Sequence, residues 1–243
     1  LFFAVLQGDF EVAGELIKQG ENVDQRSTGQ APGVLLHAGS TPLIVVSYLI
    51  HGDSAARFLL GAKANPCAKN SNHFCALALS VMGGHAKLTA ALLEGGADPK
   101  QRDHLGGQVL LASSSFARYD CCKTLLDCKA DILDANIFGA CALHGSAQAG
   151  DHEILCLLLD RRADVDQTHV PQTTFATVAY FGVSSMLNLG VKKPALEGIG
   201  QAQLGTALMS AALHGQNYCV RELIKHKADQ DLKNNMGKTA LEL

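Results

Sequence analysis

The feature that most constrains this chain is an internal repeat with a spacing close to 33 residues. An Ala-Asp pair recurs in steps of 33, 33 and 65 residues, at Ala97-Asp98, Ala130-Asp131, Ala163-Asp164 and Ala228-Asp229. A bulky apolar pair lies five residues before each of them, at Leu92-Leu93, Leu125-Leu126, Leu158-Leu159 and Leu223-Ile224. Similar pairs occur earlier, at Phe58-Leu59 and Leu16-Ile17. Because the Ala-Asp pair and the apolar pair recur with the same spacing, they indicate that the chain repeats a single structural unit.

Each unit has the pattern of two short helices. A Gly-containing turn precedes a Thr or Cys, and a Thr hydroxyl there can cap the first helix by accepting from a free amide. Ala-rich residues follow, then a turn glycine such as Gly84, Gly150 or Gly215, then apolar residues at spacings of three and four. The closing Asp suits a β-turn. One such helix pair cannot bury both of its apolar faces, so the pattern predicts stacked units.

At these residues the chain resembles the ankyrin repeat family, which has a 33-residue period and a T-P-L-H tetrapeptide. Thr41-Pro42-Leu43 keeps the first three letters, and Cys141-Ala142-Leu143-His144 keeps the His. The resemblance implies an all-α solenoid of helix-turn-helix repeats with β-turn or hairpin fingers. In the family the His and Thr join adjacent loops by hydrogen bonds, so their loss from most units implies looser loops here. The predicted helix starts are Thr41, Cys75, Gln108, Cys141, Thr173, Thr206 and Thr239.

We expect a single ankyrin-type array over residues 1–243. Its predicted parts are a partial unit (1–25), an extended loop (26–40), units 41–74, 75–107, 108–140 and 141–172, a degenerate unit (173–205), unit 206–238 and a truncated unit (239–243). The incomplete ends predict a segment of a longer protein. The degenerate unit is rich in Gly and Pro and has Gly190-Val191 where others have the bulky pair. Glycine in a helix costs roughly 1 kcal/mol, so this unit is predicted to be the weakest joint.

Composition limits the partners. The net charge is −3, so the chain offers no basic field for nucleic acid, and the apolar run at 42–50 is about half of what a membrane span needs. The eight cysteines include no C-x-x-C pair, which favours reduced thiols inside a cell, in the cytoplasm or alternatively the nucleus.

We predict no catalytic, cofactor-binding or metal-binding residues. Cys67, His73 and Cys75 lack the paired spacing of a zinc site, and neighbouring Cys121 and Cys122 point about 100° apart on a helix. The stretches LHGSAQAG (143–150) and EGIGQAQLG (197–205) have neither a preceding strand nor the motif spacing of a nucleophile or phosphate loop. The recurring aspartates are interpreted as turn formers, because a residue required once per unit belongs to the scaffold.

Binding residues are instead expected at positions that do not repeat: the finger before each first helix, and the end of each first helix, which in the family faces a concave groove. The predicted partner-binding residues are Tyr48, His73, Phe74, Met82, His104, Phe116, Phe138, Gln148, His169, Tyr180, Phe181 and His214. The predicted function is a non-catalytic scaffold that binds a protein or peptide. The alternative is a regulatory or targeting segment of a larger enzyme, such as a kinase or acyltransferase, or of an ion channel.

Overall fold

A computed structural model describes residues 1–28, 38–49, 52–102, 107–168 and 205–243. These residues form short α-helices joined by turns, and isolated antiparallel bridges join Lys69 to Cys75 and Ala135 to Cys141. They divide into two compact units, one of residues 1–104 with 123–130 and one of residues 105–122 with 131–243. The described part of the chain contains no helix long and apolar enough to cross a membrane.

The first compact unit consists mainly of three helix pairs. They are α1 (Phe2–Gln7) with α2 (Phe10–Lys18), α3 (Pro42–Val46) with α4 (Asp53–Gly61), and α5 (Ala76–Gly83) with α6 (Ala86–Glu94). Helix α3 contacts both α1 and α5, and α4 contacts α6. The rings of Phe10 and Phe58 stack at 5.1 Å between α2 and α4. Each pair therefore covers an apolar face of the next.

The second compact unit continues the pattern. Its helices are α7 (Val109–Ser115), α9 (Ala142–Ala149), α10 (His152–Asp160), α11 (Ala207–Leu213), α12 (Asn217–Lys225) and a short 3-10 helix (Ala240–Glu242), while α8 (Tyr119–Asp127) is divided between the two units. Helix α9 contacts α7, α10 and α11, and α10 contacts α12. The core consists of fully buried aliphatic side chains, among them Leu143 and Leu158.

The predicted first-helix starts coincide with helix N-caps. Six of the seven occupy an N-cap position: Thr41, Cys75, Gln108, Cys141, Thr206 and Thr239. The side chains of Thr41, Cys75 and Thr206 each accept a hydrogen bond from the backbone amide three residues on. The seventh predicted start, Thr173, lies outside the described residues.

Gln108, at the start of the first helix α7, is an N-cap without such a side-chain bond, which leads to a prediction. Its backbone is extended like that of the other caps, but its side chain makes no cap hydrogen bond, and its buried Oε1 has no partner among the described residues. Gln108→Thr is expected to raise the free energy of unfolding by up to about 1 kcal/mol, because a hydroxyl would give the Leu111 amide, which now donates to the Gln108 carbonyl at 3.1 Å, a side-chain acceptor like those of the other caps. Chemical denaturation measures the change. Gln108→Val, of the same shape without the hydroxyl, is the control; equal stability of the Thr and Val variants would contradict the prediction.

The recurring aspartates form turns, as predicted. Asp98, Asp131, Asp164 and Asp229 each accept, through a side-chain oxygen, the backbone N–H two residues on, at 2.9–3.1 Å. Asn22 and Asn65 do the same in the earlier units. A short carboxylate or amide that bonds its own backbone in this way fixes the turn. These residues therefore belong to the scaffold.

Adjacent loops are joined by residues that the sequence analysis did not single out. The side chain of Gln101 donates to the Cys67 carbonyl in the first compact unit, and that of Gln167 donates to the Leu133 carbonyl in the second. His144 bonds within its own repeat, with Nδ1 3.0 Å from Cys141 Sγ. The expectation of looser loops overlooked these glutamines, since any side chain long enough to reach the preceding turn can replace the family's His and Thr bonds.

The order of stacking differs from the prediction in one place. The expected sequence of units would put 173–205 between 141–172 and 206–238, yet α9 contacts α11 and α10 contacts α12 directly. The backbone amide of Asp229 also donates to Asp166 Oδ1 at 2.8 Å, as Asn65 donates to Asp24 between two adjacent earlier pairs. The helix pairs at 142–160 and 207–225 are therefore neighbours. The predicted unit at 173–205, and its predicted weakness, lie outside the described residues.

Candidate functional site

The ends of the first helices in the second compact unit form one candidate surface. Phe116 is the C-cap of α7, Gln148 lies in the last turn of α9, and His214 is the C-cap of α11. Helix α9 contacts both α7 and α11, so the three residues belong to helices that follow one another in the stack. All three side chains are exposed, Phe116 to 48%. We call Phe116, Gln148 and His214 the helix-end surface.

Finger residues are held in place by asparagines. Asn136 Oδ1 accepts from the amides of Phe138 and Ala140, both at 3.0 Å, so the exposed Phe138 ring projects from a closed hairpin. Asn70 Oδ1 likewise accepts from the amide of Phe74. Satisfied backbone groups make such a turn rigid. The hairpins therefore present their side chains in a fixed geometry.

The first compact unit contains four of the other predicted binding residues. Tyr48 follows α3 and is 66% exposed, whereas Met82 lies in α5 and is half-buried. His73 is exposed with a positive φ of 63°, and Phe74 is half-buried. Exposure of the Tyr48 and Phe116 rings shows that packing does not account for them. His104, His169, Tyr180 and Phe181 lie outside the described residues.

The thiols do not form a nucleophilic site in the described part of the chain. All eight cysteines are free thiols, as predicted. Burial raises the pKa of Cys219 to about 11 and raises the pKa of Cys75 and Cys141. The Cys141 thiol lies beside His144, but both side chains are buried at the start of α9. A reactive cysteine needs an exposed, electropositive setting, and this pair has neither property.

Sequence analysis missed one group of polar side chains, His152 and Cys156 on α10 with Glu222 on α12. Their ligand atoms all lie within 4.8 Å of one another, and among the described residues this is the only such His, Cys, Asp or Glu group. The hydrogen bond from Lys225, together with the charge of that ammonium group, lowers the pKa of Glu222. The available signal was the four-residue spacing of His152 and Cys156, which puts both on one helix face.

Comparison with known proteins supports the repeat assignment. The profile of ankyrin repeats in three copies matches residues 88–169, and the single ankyrin repeat profile matches residues 205–235. The matched segments are thus separated in sequence by residues 170–204. The crystal structure of the ankyrin repeat domain of Bcl-3, a member of the IκB family, superimposes with a TM-score of 0.74 over 99% of this chain and 91% of that chain, at 22% identity.

Curated relatives match over shorter stretches. A putative ankyrin repeat-containing protein of Treponema pallidum is 36% identical over 118 residues, which is 49% of this chain and 35% of the relative. The mouse B-cell lymphoma 3 protein homolog is 29% identical over 68% of this chain and 38% of the relative, and mouse Neurogenic locus notch homolog protein 1 is 28% identical over 64% of this chain and 6% of the relative. The chain spans well under half the length of each. With its repeated helix pairs, Asx turns and Asn-held fingers, the chain contains ankyrin repeats, which the family profiles match over residues 88–169 and 205–235.

Proposed function

We propose that this chain is a non-catalytic protein-interaction scaffold, and that its partner docks on the ends of the first helices and on the fingers. The observation that carries the proposal is the exposure of aromatic rings at first-helix ends, where Tyr48 is 66% and Phe116 is 48% exposed. Stacked repeats characteristically present extended binding surfaces. Exposed large aromatic side chains on such a surface are the residue type that dominates binding energy at protein interfaces.

The surroundings of Phe116 support a peptide or protein ligand. Gln148 at the end of α9 and His214 at the end of α11 offer hydrogen-bonding groups on the same helix-end surface, and His214 Nδ1 is 2.9 Å from the Ser210 carbonyl, which fixes its orientation. An apolar anchor flanked by oriented polar groups is the usual composition of a protein interface. Because the backbone is already ordered by turns and caps, binding would cost little conformational entropy.

We predict that Phe116→Ala weakens selective partner capture about thirtyfold or more while leaving the fold intact. Loss of an interface aromatic of this kind typically costs about 2 kcal/mol or more, which corresponds to about thirtyfold in affinity. The free energy of unfolding should change by less than about 0.5 kcal/mol, because the ring is exposed. The measurement is quantitative affinity capture from a cell extract by the immobilised chain, followed by direct titration of each specifically retained protein.

Tyr218→Ala is the matched control. Tyr218 is 74% exposed in the same compact unit but belongs to a second helix, α12, and is not a residue of the helix-end surface. If the Phe116 variant binds its partners as well as wild type does and the Tyr218 variant does not, the partners bind to the second helices instead. If both variants bind the same partners as wild type does, Phe116 is not part of the binding surface and the proposal for the helix ends is wrong.

We infer an intracellular location for the scaffold. Eight thiols without a disulfide are typical of reducing compartments, and a net charge of −3 does not favour nucleic acid as the partner. The alternative, a regulatory segment of a larger enzyme or channel, shares the same binding surface. The sequence adjoining this chain in its gene distinguishes the two roles.

A further inference from the structure

Two neighbouring helices each carry a pair of potential metal ligands four residues apart. Helix α10 carries His152 and Cys156, and α12 carries Glu222, with His226 four residues on as its C-cap. Residues with this spacing lie on the same face of a helix. Since α10 contacts α12, the two faces meet at the junction between helix pairs that are far apart in sequence.

The distances within the group are close to those of ligands around one zinc ion. Cys156 Sγ lies 3.4 Å from His152 Nε2, and His152 Nε2 lies 3.9 Å from Glu222 Oε2. Tetrahedral coordination with ordinary zinc bond lengths places a sulfur and a nitrogen about 3.6 Å apart, and a nitrogen and an oxygen about 3.4 Å apart. Small side-chain rotations would therefore bring all three atoms into the coordination geometry.

The Glu222 carboxylate is already oriented for this role. Lys225 Nζ lies 2.9 Å from Oε1 and His226 Nε2 lies 3.4 Å from the same oxygen, which leaves Oε2 directed at His152. The side chain is only 15% exposed. Outer hydrogen bonds that fix a ligating carboxylate are the usual second layer of a metal site. An ion-pair network would account for the positions of Lys225 and His226 around Glu222. It gives no reason for the Cys156 thiol to lie against His152.

We propose that His152, Cys156 and Glu222 bind a zinc ion that joins α10 to α12. A thiolate, an imidazole and a carboxylate suit zinc, whereas magnesium and calcium prefer oxygen ligands alone. Cys156 would release its thiol proton to solvent on binding, and water would complete the fourth position. The ion would join two helix pairs that are far apart in sequence, and its fourth position would stay open to water. This proposal does not depend on the proposed function.

Cobalt(II) titration of the reduced full chain tests the proposal. Cobalt is expected to give a thiolate-to-metal charge-transfer band and the visible bands of tetrahedral coordination, and zinc is expected to displace both and to raise the Tm. Cys156→Ser should lose the charge-transfer band, and Glu222→Gln should weaken zinc binding about tenfold or more, because even outer-layer losses have effects of that size. The control is Cys128→Ser, which removes an exposed thiol outside the group and should change neither result.

A second measurement keeps the test independent of how the variants fold. In the wild-type chain, zinc should slow the alkylation of Cys156 by iodoacetamide and leave that of Cys128 unchanged, as read by peptide mass spectrometry. Absence of the charge-transfer band at saturating cobalt, or its persistence in the Cys156→Ser variant, would overturn the proposal. Equal alkylation of Cys156 with and without zinc would do the same, and the side chains would then form an ion-pair network only.

Discussion

Replacing Leu158 with Ala is expected to lower the free energy of unfolding by about 2–5 kcal/mol. Leu158 lies in α10, belongs to the bulky apolar pair that repeats along the chain, and is 0% exposed. Its truncation removes buried methyl groups and leaves a cavity at the same time. A stack of repeats has few long-range contacts outside each interface, so we expect little compensation from elsewhere in the fold.

Urea denaturation followed by circular dichroism measures this change through the transition that reports on the second compact unit. The matched control is Leu133→Ala, which makes the same chemical change at a turn residue that is 51% exposed. The control should remain within about 0.5 kcal/mol of wild type. A Leu158 variant no less stable than the Leu133 variant would show that the repeating apolar pair does not form the core.

Much of this fold could be predicted from sequence because an array of repeats specifies itself locally. Thr41 and Thr206 are found at helix starts because a hydroxyl satisfies a free amide there, and Asp98 and Asp164 form turns for an equally local reason. Such rules act within a few residues. Repetition makes them visible, since one requirement recurs at each period.

Which helix pairs are neighbours could not be predicted in the same way. The step of 65 residues between Ala163 and Ala228 is close to two periods, and this number fits either one further stacked unit or an insertion between adjacent units. Spacing does not distinguish the two cases. The hydrogen bond from the Asp229 amide to Asp166 does, because it joins turns of adjacent pairs.

The two candidate sites differ in how far they could be predicted without knowing which helix pairs are neighbours. The positions of Tyr48 and Phe116 at first-helix ends followed from the repeat, but their exposure depended on what packs beside them. The group of His152, Cys156 and Glu222 was inaccessible to sequence reasoning because it requires α10 and α12 to be neighbours. A local sequence pattern does not specify which two helices face each other at such a junction.

Replacing Gly145 with Leu is expected to lower the free energy of unfolding by about 3 kcal/mol, because the side chain would overpack the contact between α7 and α9. A Cβ atom at Gly145 would lie 2.7 Å from Ser115 Oγ and 3.2 Å from both Ser115 N and Leu111 Cδ1. A neighbouring backbone nitrogen cannot rotate aside, so the two helices would have to separate. Differential scanning calorimetry and urea denaturation measure the loss.

Gly14→Ala is the control that separates packing from helix propensity. Gly14 also lies inside a helix, α2, but a Cβ atom there would meet nothing within 4 Å. That variant should therefore be more stable than wild type by up to about 1 kcal/mol, the usual gain of Ala over Gly in a helix. If the Gly145→Leu variant were as stable as wild type, the contact between α7 and α9 would not require a glycine at position 145, and the prediction would be wrong.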